Sequence, residues 1–315
     1  MPITTIAPTL TSRPMRDDAD YWRMRQLLLD TLAITPIGFN WDMRRLDGQR
    51  FYNADLEASR ILSRPVQLWE TASGELVAYA LPEGGGDDVH LQVHPDYRYI
   101  EEEMFDWAEQ HLGGPADDGA GRQLQSYVYT YDAQRQQMLA RRGYEQMSYG
   151  GMIRHLRLGA QPLAAPEIAA GYTLRTTDAS DMADCQRLAD LLNAAFGRDF
   201  HNALEYHNFT QLAPCFRQDL DLVAVAPDGS FAAYIGVPYD EANRWGIFEP
   251  VCTHPDHQRK GLARTLMQEG LLRLRALGAV DATVDTGDMV AANAFYTAMG
   301  FTEAYKGYSW CKRLA

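Results

Sequence analysis

The tripeptide His-Pro-Asp occurs twice in this chain, beginning at His94 and at His254, 160 positions apart. A β-type apolar run precedes each copy, and an amphipathic stretch with helical spacing follows it. Further along, Gly143-Tyr144 and Gly300-Phe301 recur at a spacing of 157. The same order of elements at nearly the same spacing is the signature of a duplicated domain. The sequence therefore predicts two similar domains, which also suits a length of 315 residues.

A stretch rich in Ala, Pro and Gly, residues 158–171, carries a single charged side chain and separates the two patterned halves. This composition is typical of a linker. On each side of it, short β-type runs joined by turn residues alternate with amphipathic helical stretches. We therefore predict an α/β (α+β) chain of two domains, each with a mixed central sheet flanked by helices. The predicted boundaries are 1–158 for the first domain, 159–171 for the linker and 172–315 for the second domain.

The charge balance limits the classes of partner. With 42 acidic and 29 basic side chains the formal net charge is -13, which repels the phosphates of nucleic acid and of anionic membranes. The sequence has no apolar run long enough to span a bilayer, and residues 1–20 lack the apolar core of a secretory signal. Its 4 cysteines are too few and too widely spaced for a disulfide scaffold. We expect a cytoplasmic protein that binds neither nucleic acid nor membrane.

The segment from Gln258 to Ala263 has the features of an anion-binding loop. It follows a single β-type run from Trp245 to Thr253, and Pro255 keeps the residue before it extended. Gly261 and Ala263 are small residues at the start of a predicted helix, where backbone N–H groups lack partners and the helix dipole is positive. The spacing is neither that of a Walker loop nor that of a dinucleotide-binding fingerprint. Three side chains add positive charge: Arg259, Lys260 and Arg264.

This loop resembles the Gln/Arg-x-x-Gly-x-Gly/Ala pyrophosphate loop of the GNAT superfamily of N-acetyltransferases, matched by Gln258, Gly261 and Ala263. Downstream, the segment from Asn293 to Phe301 is similar to that family's Asn-x-x-(Leu/Phe)-Tyr-x3-Gly-Phe element. The two together cover roughly residues 172–311. The resemblance implies acetyl-CoA as cofactor and two tandem GNAT-like domains, with a distant similarity to two-domain enzymes of the mycothiol synthase type. Taken alone, the loop could equally be an ordinary solvated helix start.

The resemblance also implies which residues contact the cofactor. Val251 and Thr253, with Cys252 between them, are expected to bind the pantetheine arm through their backbones, and Asn293 is expected to contact the same arm. Pro250 cannot donate to a sheet, so it predicts a bulge or splay at which the cofactor can enter. The predicted contacts of the diphosphate loop are Gln258, Arg259, Lys260, Gly261, Leu262, Ala263 and Arg264.

Direct attack of an amine on a thioester needs a neutral amine, a polarised carbonyl and a proton for the departing thiolate. By the resemblance, Tyr296 lies near the thioester sulfur and is the candidate acid. Glu249, two residues before Val251, is the candidate base, acting directly or through a water. Each has a plainer alternative, because Tyr296 could be a core aromatic beside Phe295 and Glu249 could be a structural or surface residue.

The first half resembles a copy that has lost its site. When the two His-Pro-Asp motifs are aligned, Glu101 stands opposite Gly261 and Glu103 opposite Ala263. Two carboxylates there would repel a diphosphate, by about 1 kcal/mol per pair of charges at 4 Å in water and roughly 4 kcal/mol at an effective dielectric of 20. Leu139 stands where the second half has Tyr296. We expect the first domain to be non-catalytic and to supply structure, with a possible contribution to one wall of the acceptor pocket.

The predicted function is an acetyl-CoA-dependent N-acetyltransferase that transfers an acetyl or short acyl group to the primary amine of a small molecule. The alternatives are a noncatalytic acyl-CoA-binding or sensing protein, and an acyltransferase with a different acyl donor or acceptor. His254 and His257 are expected to be loop and capping residues, and no metal site is predicted. The expected assembly is a monomer or a homodimer.

Overall fold

The computed structural model of the chain describes residues 9–59, 61–83, 86–116, 119, 121–159 and 162–314. It divides into two compact units. Unit 1 comprises the described residues of 1–43, 61–150 and 305–315, and unit 2 those of 44–60 and 151–304. These bounds differ from the predicted 1–158, 159–171 and 172–315, because unit 2 takes residues 44–60 from the first half and unit 1 takes residues 305–315 from the second. Residues 160 and 161 of the predicted linker lie outside the described residues.

The elements follow the predicted alternation of strands and helices. The described residues form eight α-helices: α1 Asp18–Leu32, α2 Met43–Phe51, α3 Glu101–His111, α4 Ala133–Arg141, α5 Met182–Phe196, α6 Ala203–Leu212, α7 Leu262–Ala276 and α8 Val290–Ala298. They also form fifteen strands: β1 Leu10–Pro14, β2 Gln67–Thr71, β3 Leu76–Glu83, β4 Asp88–Val93, β5 Gly114–Pro115, β6 Arg122–Tyr129, β7 Glu145–Arg157, β8 Thr173–Thr176, β9 Asp221–Val225, β10 Phe231–Gly236, β11 Tyr239–Asp240, β12 Trp245–Ile247, β13 Val251–Thr253, β14 Asp281–Gly287 and β15 Glu303–Leu314. Among these helices, none is long and apolar enough to cross a membrane.

Unit 1 is a mixed sheet with helices packed on it. Its strand order is β1-β2-β3-β4-β6-β15, and the pairs are antiparallel except for β4 with β6. The core lies where Met104 and Phe105 of α3 and Leu139 of α4 pack against the buried residues of β3 and β4. Its sixth strand comes from far along the sequence, since Gly307–Leu314 of β15 pair with β6. This pairing explains why residues 305–315 belong to unit 1.

Unit 2 contains two groups of paired strands. The last seven residues of β7 pair with β14, which pairs in parallel with β12, and β12 pairs with the short β11. The second group has the order β13-β10-β9-β8 and is antiparallel throughout. Leu266, Leu271 and Leu274 of α7 are buried in the core against these strands. The helix lies so close that a Cβ on Gly246 would stand 2.5 Å from Leu274 Cδ1, so glycine is required there.

The two groups of strands separate after Phe248. Its amide donates to the carbonyl of Thr283 at 2.8 Å, which is the last bond between this run and β14. Two residues later the carbonyl of Pro250 accepts from the amide of Gly236, and the chain continues as β13 on β10. The predicted single run from Trp245 to Thr253 is therefore divided, and the predicted break in pairing at Pro250 is confirmed. We call the opening between β13 and residues 284–287 of β14 the splay.

Residues 44–60, which include most of α2, pack against α6 in unit 2. The side-chain amide of Asn208 donates to the carbonyl of Asn53 at 2.8 Å. The ring of Tyr52 lies 5.5 Å from the ring of Phe209 and 6.1 Å from that of His201, measured between centroids. A segment from the first half of the sequence is thus a structural part of the unit that contains the splay.

Candidate active site

The edge of β13 that faces the splay carries backbone groups suited to binding an extended chain. In the pairing with β10, Cys252 stands opposite Tyr234, and the neighbouring bonds join Gly236 to Pro250 and Ala232 to His254. Hydrogen-bonded pairs alternate with non-bonded ones in an antiparallel ladder. Val251 and Thr253 are therefore at non-bonded positions, and their N–H and C=O groups point away from β10. They face the open edge, as a strand-like ligand requires.

Cys252 has the opposite orientation. Its backbone is directed at β10, and its side chain is buried in a cluster with Tyr206 and Tyr234. Burial raises the pKa of its thiol to about 12, so the thiol is not a nucleophile at neutral pH. The cofactor contact predicted for Cys252 remains a prediction, and the backbone geometry provides no donor for it on the splay side.

The loop after β13 leads into α7 with its backbone amides exposed. Arg259 has a φ of 62° and Gly261 a φ of 78°, so both lie in the left-handed region. The first amide of α7 with a partner in the helix is that of Thr265, which donates to the carbonyl of Gly261 at 3.0 Å. Within the residues described, the amides of 259–264 have no hydrogen-bond acceptor. A helix N-terminus with free amides and a positive dipole binds anions, so the loop has the geometry of an anion cradle.

Among the side chains of the loop, Lys260 is held by hydrogen bonding, whereas others are exposed to solvent. Lys260 Nζ donates to Tyr172 Oη at 2.7 Å and lies over the same ring, and Tyr172 Oη is 2.9 Å from His257 Nδ1. Lys260 is therefore held at one side of the loop by the residues that follow the predicted linker. The side chains of Gln258, Arg259 and Arg264 are exposed, and they can approach an anion bound at the loop.

Tyr296 lies in the apolar core of unit 2, with its ring near those of Phe295 and Phe301. It is buried, with 8% of its surface exposed. Burial, followed by the charge of Glu249 and by Cys252 and Asp285, raises the pKa of its hydroxyl to about 12. The hydroxyl is therefore protonated at any physiological pH, and the electrostatic influence of Glu249 places the two residues in one neighbourhood.

Glu249 lies directly after Phe248, where the two groups of strands separate, and its side chain is 23% exposed. Its Oε1 is 3.4 Å from Nη1 of Arg44 in the segment 44–60. Its Oε2 is buried and accepts no hydrogen bond from any residue that the structure describes. A buried carboxylate oxygen without a donor is costly, and a positively charged group entering the splay would satisfy it.

Asn293 is held by three protein partners. Its side-chain nitrogen donates to the carbonyls of Gly287 and Met289, both at 2.9 Å, and its Oδ1 accepts from Arg154 Nε at 2.7 Å. These bonds fix the start of α8 against the ends of β14 and β7. The predicted contact of Asn293 with the cofactor arm stays a prediction, while its observed role is to position α8, which carries Tyr296.

Three further residues at the splay carry charge and were not predicted from the sequence. Arg44 contacts Glu249, and Arg45 Nη2 lies 3.4 Å from Asp285 Oδ2 on β14. The only sequence signal is the adjacent Arg44-Arg45 pair, which is also typical of any solvated helix start. Their position beside Glu249 depends on the packing of residues 44–60 in unit 2.

A buried polar cluster lies behind β13. Asp221 is buried and accepts from the hydroxyls of Thr177, Tyr206 and Tyr234, the last at 2.5 Å. Burial outweighs these hydrogen bonds and raises the pKa of its carboxyl to about 6. The cluster joins β9, β10 and α6, so it braces the strand on which β13 is paired.

The segment of unit 1 that aligns with the Gln258–Ala263 loop contains a negatively charged side chain, that of Glu101. The carboxylate of Glu101 is buried and is bound by Arg98 and by Arg135, the latter at 2.9 Å. Burial alone would raise the pKa of Glu101, but Arg135 and Arg98 outweigh it and lower that pKa. A side chain thus stands where a bound phosphate would otherwise be stabilised. This arrangement supports the expectation that the first half does not bind the cofactor.

Two other clusters of polar side chains lie away from the splay. Within the described residues, Glu83, Asp88 and His90 bring three ligand atoms within 4.8 Å of one another in unit 1, and Glu83 already bonds His90 at 2.6 Å. In unit 2, a surface depression beside β8 and α5 is lined by charged residues that pair with one another, such as Arg175 with Asp184. Neither lies among the residues of the splay.

Comparison with known proteins places these features in context. Residues 185–301 match the model of the acetyltransferase (GNAT) family. No curated protein matches the chain significantly. A GCN5-related N-acetyltransferase from Sphaerobacter thermophilus is 19% identical, with a TM-score of 0.62 over 98% of this chain and 97% of that one.

Two further solved structures have the same architecture over the whole length. A tandem GNAT protein from the clavulanic acid biosynthesis pathway is 15% identical, with a TM-score of 0.67 over 98% of this chain and 99% of that one. A GNAT-family acetyltransferase from Colwellia psychrerythraea is 12% identical, with a TM-score of 0.59 over 96% and 100% of the two chains. At these identities the likeness shows the fold. The predicted resemblance to the GNAT superfamily and the predicted tandem α/β fold are confirmed.

Proposed function

Because residues 185–301 match the acetyltransferase (GNAT) family, we propose that this chain is an acetyl-CoA-dependent N-acetyltransferase acting on the primary amine of a small molecule. One observation carries the proposal. The open edge of β13 runs from the amide-rich loop at one end to Glu249 at the other, and Tyr296 is near enough to Glu249 for that charge to raise its pKa. This order supports a path along which a loop that can bind anions, a strand-like edge and a candidate acid–base pair follow one another.

The residues along this path fit a coenzyme A thioester. The amides of Gly261 to Arg264 and the guanidinium of Arg259 would hold the diphosphate. The outward backbone groups of Val251 and Thr253 would pair with the amides of the pantetheine arm, as one strand pairs with another. When bound, acetyl-CoA supplies the acetyl group as an activated thioester. Asn293 positions α8 so that Tyr296 is held near the end of that path.

Glu249 and Tyr296 supply the two proton steps. Glu249 Oε2 accepts a hydrogen bond from the acceptor ammonium and then removes its proton, which leaves a neutral amine. The amine nitrogen would then bond to the acetyl carbon as the carbon–sulfur bond breaks. Tyr296 donates its hydroxyl proton to the departing sulfur, and its raised pKa ensures that this proton is present. The amine loses two protons overall: the first goes to Glu249 and from there to water, and the second, lost as the amide forms, restores the hydroxyl of Tyr296.

The setting that we propose for this reaction is the cytoplasm, with the chain acting as a monomer or a homodimer. All four cysteines are free in the structure, which suits a reducing compartment. The net charge of -13 disfavours nucleic acid as a partner.

The test is release of free thiol from acetyl-CoA by the full chain in the presence of a broad panel of primary amines. We expect turnover with at least one amine and the mass of its N-acetyl product. In Glu249→Gln, which keeps the shape of the side chain but not its basicity, we expect kcat/KM at neutral pH to fall by a factor of about 100. We also expect the loss in the variant to shrink at high pH, where the amine is already neutral.

Two results would contradict the proposal. If the chain binds acetyl-CoA tightly and no amine yields thiol, the noncatalytic binding alternative is correct. If thiol appears with hydroxyl acceptors or only with a longer acyl donor, the chain is an acyltransferase of another specificity.

A further inference from the structure

Two arginines of the first turn of α2 stand at the splay. Arg44 reaches Glu249, and Arg45 reaches Asp285, each across 3.4 Å. Glu249 precedes β13, whereas Asp285 belongs to β14. The two strands separate at the splay, so one arginine lies on each of its sides. The first turn of α2 therefore brings two positive charges to the place where the acceptor must approach Glu249.

These ion pairs differ from the structural ion pairs of unit 2. Arg175 donates two hydrogen bonds to Asp184, from Nη1 to Oδ2 at 2.6 Å and from Nη2 to Oδ1 at 2.9 Å. This is the geometry of a strong charge-assisted pair. Arg44 and Arg45 contact Glu249 and Asp285 at a longer distance, 3.4 Å in each case. A guanidinium carries its N–H donors in a planar fork that matches a carboxylate, so both arginines have the chemistry to bind the carboxylate of a ligand.

The arginines are also within reach of a ligand. The side chain of Arg44 is 23% exposed and that of Arg45 is 34% exposed. Arg44 contacts Glu249, which lies two residues before β13. Arg44 is thus near the strand that would hold the cofactor arm, and a group bound to it would lie close to the thioester.

Four charged side chains at the splay are arranged in two pairs. Glu249 and Asp285 supply two negative charges, and Arg44 and Arg45 supply two positive ones. A ligand with one ammonium and one carboxylate has the complementary pattern, since its ammonium fits the donorless Oε2 of Glu249. Such a ligand has no net charge, so the overall charge of -13 does not repel it.

We infer that the acceptor is an amino acid or a similar molecule with a free carboxylate, which Arg44 and Arg45 bind while its amine faces Glu249. The inference rests on the proposed function, because it names the acceptor class of the same site. It assigns specificity to residues 44–60, which precede the catalytic elements by about two hundred positions. The segment therefore selects the acceptor, and the GNAT domain performs the transfer.

The test compares matched acceptors that differ only in the carboxylate. Thiol release is measured for glycine, alanine and β-alanine against glycinamide, alaninamide and β-alaninamide, with rates referred to the neutral-amine fraction because amidation lowers the pKa of the amine. We expect the wild type to prefer the acids by about 10- to 100-fold in kcat/KM, the scale of one or two charge-assisted hydrogen bonds. In Arg44→Gln and Arg45→Gln the ratio of acid to amide should fall toward one, and Arg44→Lys should retain part of it.

The ratio of kcat/KM for the acid to kcat/KM for the amide separates binding of the carboxylate from other effects of the substitution. Loss of Arg44 also changes the surroundings of Glu249, but that change affects acid and amide alike. Arg217→Gln is the matched control, because Arg217 is 33% exposed and pairs with Asp219 elsewhere in unit 2, and it should keep the wild-type ratio. Equal rates for acids and amides in the wild type, or an unchanged ratio in both glutamine variants, would overturn the inference.

A second measurement keeps the inference testable if no amine is acetylated. Calorimetric titration of the same matched pairs into the full chain saturated with coenzyme A measures binding without turnover. Tighter binding of the acids by tenfold or more, lost in Arg44→Gln, would support the inference even though the proposed function had failed. Equal affinities would reject the inference as well.

Discussion

The hydroxyl of Tyr296 is held in its protonated form by its surroundings. It lies in an apolar core, and burial together with Glu249, Cys252 and Asp285 raises its pKa to about 12. A group of this kind donates protons and does not accept them at neutral pH. The same burial is also what an ordinary core tyrosine shows, so the function of the hydroxyl must be separated from the packing of the ring.

Tyr296→Phe removes the hydroxyl and keeps the ring. We expect turnover to fall by about one to three orders of magnitude with little change in the affinity for coenzyme A, the scale of losing a proton donor. Tyr239→Phe is the matched control, because Tyr239 is buried in the same core cluster and should keep full turnover. The measurement is kcat together with the Kd of coenzyme A for both variants. Unchanged turnover in Tyr296→Phe would assign the residue to the core alone.

Asp221 makes stability depend on pH. Burial raises the pKa of its carboxyl from 3.8 to about 6, so the folded state holds the proton more tightly than the unfolded chain does. The stabilising contribution is complete below about pH 4 and is lost as the pH rises through 6. In Asp221→Asn this loss is absent, and the stability difference from the wild type should shift in favour of the variant by about 2 kcal/mol between pH 4 and pH 6.

The control for this prediction is Asp184, whose contribution to stability changes with pH in the opposite direction. Arg175 and other partners outweigh burial and lower the pKa of Asp184, so its contribution is present above the unfolded pKa and is lost as the pH falls. The stability of Asp184→Asn relative to the wild type should therefore worsen as the pH rises. Denaturant unfolding of the three proteins from pH 2 to pH 7 tests both signs, because the contribution of Asp184 changes below about pH 4 and that of Asp221 mainly above it. Parallel curves for the wild type and Asp221→Asn would contradict the assignment.

At the residue scale, the sequence predicted the motif residues of the site better than the side-chain contacts between residues that are far apart in the sequence. The motif residues Gln258 to Ala263 and Tyr296 follow from local pattern and family resemblance. Arg44 does not, because it meets Glu249 across 205 positions of sequence. Asn293 shows a second limit, since a residue expected at the cofactor is instead bonded to Gly287, Met289 and Arg154. Such partners are set by tertiary packing, which a single sequence does not reveal.

At the scale of elements, the loop before α7 depends on two left-handed residues. Gly261 has a φ of 78° and open space where a Cβ would stand. In Gly261→Glu we expect a loss of stability of about 1 kcal/mol from the left-handed backbone. We also expect coenzyme A affinity to fall by about a thousandfold, because one repulsive charge pair near 4 Å costs roughly 4 kcal/mol at an effective dielectric of 20.

Gly278, at the other end of α7, separates these two effects. It has a φ of 82° and the same open surroundings, but it lies beyond the carboxyl end of the helix. Gly278→Glu should cost a similar amount of stability and leave coenzyme A affinity unchanged. Thermal unfolding and calorimetric titration of both variants give the comparison. Normal binding by Gly261→Glu would show that the loop amides do not hold the diphosphate.

The helices with clear start and stop signals were predicted, and the others were missed. The small residues Gly261 and Ala263 place the predicted helix start within a residue of the observed start of α7 at Leu262. α6 was not predicted, although Asn202 and Glu205 form a capping box at its start. Its apolar residues are mixed with polar ones, so the helical period is weak. The run from Trp245 was predicted as one strand because apolar composition alone does not show that a strand changes sheets.

At the scale of the whole molecule, the duplication was visible in the sequence but its division was not. The repeated motifs predict two similar domains, and the linker composition suggests a cut at residues 158–171. In the structure, β7 begins in unit 1 and ends in unit 2, while β15 joins the sheet of unit 1. The composition of a segment reflects only its local properties. Pairing between strands that are far apart in the sequence does not change that composition, so it cannot be predicted from it. A fragment of residues 1–158 would therefore lack a strand of its own sheet.

Ending the chain after residue 304 tests this division. The truncation removes Gly307–Leu314, the partners of β6. We expect hydrogen exchange at the amides of β6 to become at least a hundredfold faster, because an edge exposed in this way loses its ladder of bonds. The strands β9 and β10 of unit 2 serve as the internal control and should keep most of their protection. Full protection of β6 in the truncated chain would show that β15 is dispensable to unit 1.

The placement of β15 has a consequence for synthesis. A ribosome delivers the polypeptide in order, and domains ordinarily fold as they emerge, the earliest first. Here the sheet of unit 1 is completed only by β15, which pairs with β6 and follows every other element of unit 2 in the sequence. The nascent chain therefore carries an uncovered β6 edge throughout translation of the second half, and the unit that is begun first is completed last.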